Sequence, residues 1–401
     1  MDKNQFIGKK RNISSNASLT SPINNINDDS SNSTQNSNLS QSSNLEYENK
    51  LYNEGIILKE HTHWINLITI LKSQPKHNLI SASADGLIIV YDNYPNYKPM
   101  LKMKLFGESG VTYLLELNNG SIIACSFGAI KQILLTYNET SNEFIYEIIN
   151  YYAICTSYIS KCIELKNENL VFISQQNNII ILEKVKNNEN NSKNKIRDMF
   201  INKSPINLLK YEICINILEL KDNLIISGSI TDPKYNLIEK NSNKININCI
   251  NFYNNNFKTI QKIKQIYCTK SQNNIVKIND KYVIAGVEMC VNELNWNNNT
   301  GIAIINYNNF EIIAFYETPN QISSILYYEN NLYIGDNKGY VEKNQFDGNE
   351  ILSLKSKRIH FYNINSIACE YVYDKQLNKK LFLVITGCND RTIKILSYFN
   401  D

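Results

Sequence analysis

The chain has 401 residues, a charged fraction of 20% and a formal net charge of +3. This mild balance gives no indication of a nucleic acid or a membrane surface as partner. No apolar run approaches the roughly 18 residues of a membrane helix, and the N-terminus lacks a signal-peptide core. The nine cysteines form no Cys-x-x-Cys pair, which favours free thiols in a reducing compartment. We therefore expect a soluble intracellular protein, in the cytoplasm rather than in the nucleus.

The first 48 residues differ in composition from the rest of the chain. The stretch SPINNINDDSSNSTQNSNLSQSSN is dominated by Ser and Asn and contains few large apolar side chains. Such a segment cannot bury enough apolar surface to offset the entropy that is lost on ordering. We predict a disordered tail over residues 1–48 and a folded domain over residues 51–401.

A repeated phrase organises the rest of the chain. It consists of an apolar residue, a few polar turn residues and a hydrophobic strand, and another apolar run precedes each copy. A third and a fourth strand follow, and the third often ends in an aromatic residue plus an acceptor, as in Tyr91-Asp92. The seven copies begin at Leu71, Leu117, Leu165, Leu220, Ile278, Tyr328 and Tyr373.

Units of about 50 residues with four strands each are typical of β-propeller blades. The pattern therefore predicts an all-β, seven-bladed β-propeller with four antiparallel strands per blade. The seventh unit reaches the end of the chain after its third strand, whereas residues 53–61 precede the first unit without a blade of their own. We expect this N-terminal segment to form the outer strand of the last blade and so to close the ring.

The first unit, HTHWINLITILKSQPKHNLISASADGLIIVYD, resembles the WD40 repeat family. That family places a His before the first strand, Ser in the second, Asp in the following turn and Trp-Asp at the end of the third. The corresponding residues are His61, Ser81, Ser83, Asp85, Tyr91 and Asp92. Tyr91 departs from the family's Trp, and Glu60 stands where Gly usually precedes the His.

The last unit matches the family in part. It has His360 upstream and Asp390 in the turn of TGCNDRTIKILS, but its third strand ends in Leu396-Ser397 instead of Trp-Asp. The middle units keep the spacing and the hydrophobicity and lose most of the polar signature. The resemblance covers residues 51–401 and implies a fold, while it leaves the function open.

The stretch HTHWI raises the question of a metal site at His61 and His63. A metal needs three or four convergent ligands, and no third His or Cys stands at a recognisable spacing. The resemblance implies instead that His61 bonds Asp85 in a buried network with Ser81 or Ser83 and Tyr91. It implies a corresponding pair between His360 and Asp390. We therefore expect no metal and no other cofactor.

No catalytic motif is present: there is no Gly-x-Ser-x-Gly, no His-Glu-x-x-His and no phosphate-binding glycine loop. We expect a non-enzymatic scaffold that works within a complex and binds partner proteins or peptides on one face. The loops that lead into each first strand should carry that face. The residues at these positions are Trp64, Gly110, Lys161, Asn274, Gln321 and Asn365. Trp64 is the best candidate for a contact, because aromatic side chains anchor interfaces, although packing between blades would also explain it.

Two alternative functions stay open. One is a substrate-recognition subunit of a ubiquitin ligase, although no F-box-like module is recognised before the repeats. The other is a phosphoinositide-binding propeller in membrane trafficking, whose paired-arginine motif is absent from the nearest candidate, KSKRIH at residues 355–360. Two long insertions, at residues 186–204 and 231–244, are either flexible loops or partner contacts.

Overall fold

The computed structural model describes the backbone of a large part of the chain. The described ranges are residues 54–74, 78–174, 178–184, 200–207, 212–221, 224–231, 248–255, 260–268, 270–292, 295–347 and 351–398. The predicted tail lies outside them, and so do residues 186–199 and 232–244 of the two predicted insertions. Residues 200–204, predicted as loop, are instead part of a strand.

Antiparallel β-strands make up the regular structure of these ranges, and they form six sheets. The chain first enters β1 (Ile56–Leu58). Sheet one contains β2 (Ile65–Ile70), β3 (Leu79–Ser83), β4 (Leu87–Tyr91) and β5 (Pro99–Lys104). Sheet two contains β6 (Tyr113–Glu116), β7 (Ile122–Cys125), β8 (Phe127–Asn138), β9 (Glu143–Glu164), β10 (Leu170–Ser174), β11 (Asn178–Lys184) and β12 (Phe200–Asn207).

The remaining four sheets have four strands each. Sheet three contains β13 (Glu212–Lys221), β14 (Leu224–Thr231), β15 (Asn248–Asn255) and β16 (Ile260–Cys268). Sheet four contains β17 (Lys270–Lys277), β18 (Tyr282–Asn292), β19 (Asn295–Asn306) and β20 (Glu311–Glu317). Sheet five contains β21 (Ile322–Tyr328), β22 (Asn331–Asp336), β23 (Tyr340–Phe346) and β24 (Ile351–Arg358). Sheet six contains β25 (Ile364–Asp374), β26 (Lys379–Cys388), β27 (Ile393–Tyr398) and β1.

The predicted number of blades was wrong, because the described residues form five separate four-stranded blades and one seven-stranded sheet. The difference lies in β9, which runs for 22 residues without a turn. Its first part pairs with β8, and its last residues, from Ile159 to Glu164, pair with β10. The segment contains no Gly, Pro or Asp and is rich in Ile and Tyr, which favour extended structure. Two predicted units are therefore joined into one sheet.

The sheets are arranged around a channel as in a β-propeller. The strands that face the channel are β2, β6, β9, β13, β17, β21 and β25, and they contact one another in this order. The circle closes because β25 packs against β2. The N-terminal strand β1 pairs with β27, with Ile56 opposite Ile395, so the predicted closing strand is at the edge of the last sheet. Within the described ranges, no helix has the length and hydrophobicity that a membrane crossing requires.

The core lies between neighbouring sheets because both faces of the middle strands of each sheet, such as β3 and β4, are buried. Ile80 and Val90 of sheet one pack toward sheet two, whereas Ile89 and Tyr91 pack toward sheet six. This alternation follows from the two-residue period of a strand. Each fully buried side chain of this kind contributes about 1.5–3 kcal/mol to the free energy of folding. Runs such as LIIVY are consequently apolar at every position.

One type of hydrogen bond joins the inner strands at the end where they begin. A polar side chain there donates to a backbone carbonyl of the next unit, in its inner strand or just before it, at 2.5–2.7 Å. The four pairs are Asn66 with Val111, Thr112 with Ile159, Ser323 with Ile364 and Asn365 with Ile65. These bonds satisfy carbonyl groups that would otherwise face the channel.

A second type of bond joins the inner strands at their other end. The carboxylate of Glu116 accepts the backbone N–H of Lys72 at 2.8 Å. Glu164 accepts the N–H of Asn118, and Glu219 accepts that of Lys166. The three acids stand in the runs LLEL, CIEL and ILEL. Each glutamate therefore holds the turn of the preceding unit.

The close approach of β8 and β9 is testable at Gly128. Its φ is +65°, and a Cβ there would lie 2.3 Å from the carbonyl oxygen of Cys155. Gly128→Ala should lower the free energy of unfolding by about 3 kcal/mol, because backbone strain and a steric clash add. Gly107→Ala is the matched control, since φ is +63° but no atom lies within 4 Å. Equal losses in urea-induced unfolding would contradict the clash.

Candidate functional site

The inner strands enclose a cavity of about 1530 Å³. We call the end at which these strands begin the mouth of the channel. All six residues predicted for the binding face line the cavity. Trp64 lies at the mouth with 52% of its surface exposed, and its ring contacts that of His63 at 5.0 Å between centroids. This exposure favours a surface contact over packing between blades as the role of Trp64.

Two of the predicted binding residues already have structural partners. The amide nitrogen of Asn365 donates to Ile65 and to Asn389, and its oxygen accepts from Asn363. The ammonium group of Lys161 donates to the amide oxygen of Asn216 on the next inner strand. These contacts give Asn365 and Lys161 a role in joining the sheets.

The other predicted residues, Asn274, Gln321 and Gly110, line the cavity without a sheet-joining side-chain bond of this kind. The amide nitrogen of Asn274 is itself buried and has no hydrogen-bond partner among the described residues, and the same holds for the hydroxyl of Ser324, which also lines the cavity. The side-chain oxygen of Gln321 accepts one long hydrogen bond, at 3.4 Å, from the amide of Asn337. Gly110 lies so close to Ala84 that a Cβ would meet the Ala84 backbone at 3.0 Å. The wall of the cavity is therefore lined by neutral polar side chains and, at Gly110, by backbone.

Further aromatic residues at the mouth were missed by the sequence analysis. Tyr158 lines the cavity, is 44% exposed and packs edge-on against Phe127 at 5.0 Å. Phe361 and Tyr362 precede β25 and are 72% and 61% exposed. The sequence contained a signal for Phe361 and Tyr362. These residues directly follow His360, in the same way that Thr62 and His63 directly follow His61. In a chain with 26 tyrosines, no sequence signal marked Tyr158.

His61 lies in a buried hydrogen-bond network in sheet one. Its Nδ1 is 3.0 Å from the Asp85 carboxylate and its Nε2 is 2.7 Å from the Ser81 hydroxyl. The hydroxyl of Ser81 is 3.3 Å from that of Tyr91. Ser83 does not reach His61; it donates to the carbonyl of His63 and accepts the Asp85 N–H. The network ties the loop before β2 to the turn between β3 and β4.

Sheet six contains the same network with different side chains. His360 Nδ1 lies 2.7 Å from Asp390, and Nε2 lies 2.8 Å from the hydroxyl of Thr386. Cys388 takes the place of Ser83, since its thiol contacts the Tyr362 carbonyl and accepts the Asp390 N–H.

The atoms of His360, Cys388 and Asp390 lie within 4.8 Å of one another, as metal ligands would. Burial raises the pKa of the Cys388 thiol to about 12. The Ser83 counterpart in sheet one builds the same geometry without a sulfur. Hydrogen bonding therefore accounts for this cluster.

A third turn of this type was not predicted. The carboxylate of Asp336 accepts the backbone N–H groups of Lys338 and Tyr340. In place of an imidazole, the side-chain amide nitrogen of Asn320 donates to this carboxylate at 2.7 Å. The segment GDNKG resembles SADG in sheet one, which is the sequence signal that identifies it. The sequence pattern identifies Asp336 but not its partner Asn320. The segment between the partner and the acid is shorter here than the segment between His61 and Asp85.

Burial controls the charge of the two histidines. It lowers the pKa of His61 and of His360, although Asp85 and Asp390 oppose the shift. Burial alone would raise the pKa of Asp85, but N–H donors from Leu87 and Thr62 and the contact with His61 outweigh it and lower the pKa. The networks therefore pair a neutral imidazole with an ionised carboxylate.

Comparison with known proteins supports the architecture. No family sequence model matches this chain, and no curated protein matches it in sequence. Sqt1 from Saccharomyces cerevisiae is similar in structure, with a TM-score of 0.57 and 8% identity over 86% of this chain and 99% of that chain. The fold is a β-propeller.

Two other solved structures are similar in the same way. A chain of the mitotic checkpoint complex has a TM-score of 0.57 and 8% identity, over 86% of this chain and 95% of that chain. The computationally designed protein Ika8 has a TM-score of 0.50 and 12% identity, over 86% and 98%. At these identities the similarity shows the fold alone.

The network in sheet one is testable by removing its acid. Asp85→Ala should lower the free energy of unfolding by about 3 kcal/mol, because the imidazole and two N–H groups lose a buried partner. Asp280→Ala is the control, since this acid is exposed and forms a surface ion pair with Lys277. A thermal melt of Asp85→Ala that coincides with that of the unchanged chain would refute the network.

The stability should depend on pH through the two buried histidines. Their pKa values are lowered from 6.5 in the folded chain, so the unfolded chain binds more protons as the pH falls below about 6.5. Stability should therefore decrease from pH 7 to pH 5, by up to about 1.4 kcal/mol per pH unit for each titrating histidine. Urea-induced unfolding at several pH values measures this slope.

The double variant His61→Gln/His360→Gln should be less stable than the unchanged chain and should show a shallower pH slope. His63→Gln, which changes an exposed side chain, is the control. An unchanged slope in the double variant would assign the pH dependence to other groups.

Proposed function

We propose that the chain is a divergent, non-enzymatic WD40 repeat protein that acts as a scaffold and binds a partner protein or peptide across the mouth of the channel. The observation that carries the proposal is the exposure of Trp64 at the rim of the cavity. Large aromatic side chains dominate the binding energy of protein interfaces, and an exposed Trp is rarely needed for folding. Tyr158, Phe361 and Tyr362 extend the aromatic surface.

The cavity fits a polypeptide better than a small molecule. Its volume of about 1530 Å³ exceeds the roughly 300–1000 Å³ of ordinary ligand pockets. Its wall includes neutral polar side chains, such as those of Asn66 and Gln321, and such side chains suit the backbone groups of an inserted chain. His61 and His360 have both ring nitrogens engaged in their networks, which supports a role without acid–base catalysis.

The two structural neighbours named for natural proteins are consistent with such a role without establishing it. One is a component of an assembly, the mitotic checkpoint complex. A substrate-recognition subunit of a ubiquitin ligase would use the same mouth. The two functions would be distinguished by the identity of the proteins that are recovered with the chain.

The proposal is tested by affinity purification of the tagged full chain from its native cells, followed by mass spectrometry. With the variant Trp64→Ala/Tyr158→Ala, the recovered amount of at least one specific partner should fall at least tenfold, because aromatic side chains of this kind dominate the binding energy of interfaces. Tyr373→Ala is the control, since this tyrosine is 59% exposed at the opposite end of β25. Identical recovery with all three proteins would contradict binding at the mouth.

A further inference from the structure

The first part of β9 is an outer strand that has one unpaired side among the described residues. It pairs with β8 from Glu143 onward, whereas β10 pairs with β9 only from Ile159 to Glu164. No described strand lies along the other side of residues 143–157. The backbone groups on that side are the ones that a further strand would use.

This part of β9 exposes large apolar side chains. We call four of them the apolar stripe, and they are between 42% and 59% exposed: Ile145, Tyr146, Ile148 and Tyr151. Neighbouring residues of a strand point to opposite faces, so Ile145 and Tyr146 flank the unpaired edge from both faces. A contiguous apolar patch at a protein surface marks a site of interaction.

Charged groups are few along this edge. The first part of β9 contains two acids, Glu143 and Glu147, and no cation, and residues 148–157 carry no charge at all. The neighbouring strand β8 adds one cation, Lys131, whose ammonium group donates to the carbonyl of Leu105. Apolar contact and main-chain pairing, more than charge, therefore decide what this edge can bind.

Other outer strands carry charges that oppose pairing from edge to edge. β5 has Lys102 and Lys104, and β24 has three cations near its end. β20 has Glu311 and Glu317 at its two ends, so two antiparallel copies of it would place acid opposite acid. Each of these strands contains a bulge, as β9 does at Ile149. β9 therefore differs from them in its charge and not in the bulge.

The charge pattern of β9 suits antiparallel pairing with a second copy of the same strand. A two-fold axis places the acidic first half of one strand opposite the uncharged second half of the other. With the axis at Ile148, for example, Glu147 lies opposite Ile149 of the second copy. In the same register, Glu143 lies opposite Ala153. Parallel pairing in register would instead place each acid opposite itself, which destabilises a sheet.

The size of the apolar stripe predicts a weak dimer. Four side chains that each expose roughly 100 Å² would bury on the order of 400 Å² per copy when the strands pair. The total for two copies is then about 800 Å², below the roughly 1,200–2,000 Å² of stable interfaces. Main-chain hydrogen bonds along the strand add to this contact. We therefore expect monomer and dimer to exchange at micromolar concentrations.

We propose that the chain forms a two-fold symmetric dimer, in which the β9 strands of two copies pair antiparallel through residues 143–153 and bury the apolar stripe. β9 ends near the mouth, at which Tyr158 lies, and begins at the opposite end of the blade. Antiparallel pairing therefore points the two mouths in roughly opposite directions. Such a dimer holds two partners at once, a consequence that rests on the proposed function, whereas the pairing itself does not.

Sedimentation equilibrium of the purified full chain tests the pairing at concentrations from about 1 to about 200 µM. The unchanged chain should pass from the 46.3 kDa monomer to a dimer of twice that mass. Ile145→Glu/Ile148→Glu should raise the dissociation constant at least tenfold, because carboxylates replace apolar groups that the pairing buries. Leu352→Glu/Leu354→Glu is the matched control and should stay within twofold, since these leucines are 45% and 51% exposed on the outer strand of sheet five. Circular dichroism melts verify that both variants are folded.

Hydrogen–deuterium exchange locates the pairing without any substitution. Amides within residues 143–153 of the unchanged chain should exchange at least threefold more slowly at about 200 µM than at about 1 µM, because the second strand accepts their N–H groups. Residues 351–358 of β24 should exchange equally at both concentrations. Protection that grows with concentration elsewhere, and not in β9, would overturn the assignment of the interface.

The remaining outcomes also decide the question. A monomer at every concentration, or a dimer that Ile145→Glu/Ile148→Glu leaves unchanged, would overturn the proposal. Association beyond the dimer would contradict it as well, because a two-fold pair uses each β9 edge once and is closed. Each of these failures leaves the result for Trp64 and Tyr158 intact, so the two proposals can fail separately.

Discussion

The ring depends on side chains of one inner strand that hydrogen-bond to the backbone of the next. At the mouth, an Asn, Thr or Ser donates to a backbone carbonyl of the neighbouring unit, as Asn66 does to Val111. At the other end, a glutamate such as Glu116 accepts an N–H from the adjacent turn. The side chains give these backbone groups a hydrogen-bond partner and fix the spacing of the sheets. A polar channel and a stable ring are therefore compatible.

The seam between sheets six and one shows why two polar networks persist there. The chain passes from β1, at the edge of sheet six, into β2 of sheet one, and β25 packs against β2 at this seam. Ser366 bonds to the backbone of Ile68, and Tyr97 donates to Glu370 across the same boundary. The networks around His61 and His360 order the loops on either side of it. A buried network of this kind is stabilising only when every member has its partner.

The mouth presents aromatic rings above a wall of polar side chains, because the inner strands use several of their polar side chains to bond one another. Loops at the ends of the strands can vary in this way without a change in the core between the sheets.

The repeated strand pattern was enough to predict an all-β propeller, its closing strand and the acids and histidines of two networks, since these follow from local periodicity and short motifs. The binding role of Trp64 stays a prediction, although its position at the mouth follows from the same repeats. The sequence could not show that β9 is continuous, because strand breaks depend on which neighbours pair with each part. It also could not show that Asn365 and Lys161 join sheets, nor that Tyr158 and Arg358 face solvent. Those properties depend on contacts between residues far apart in the chain, which only the tertiary structure brings together.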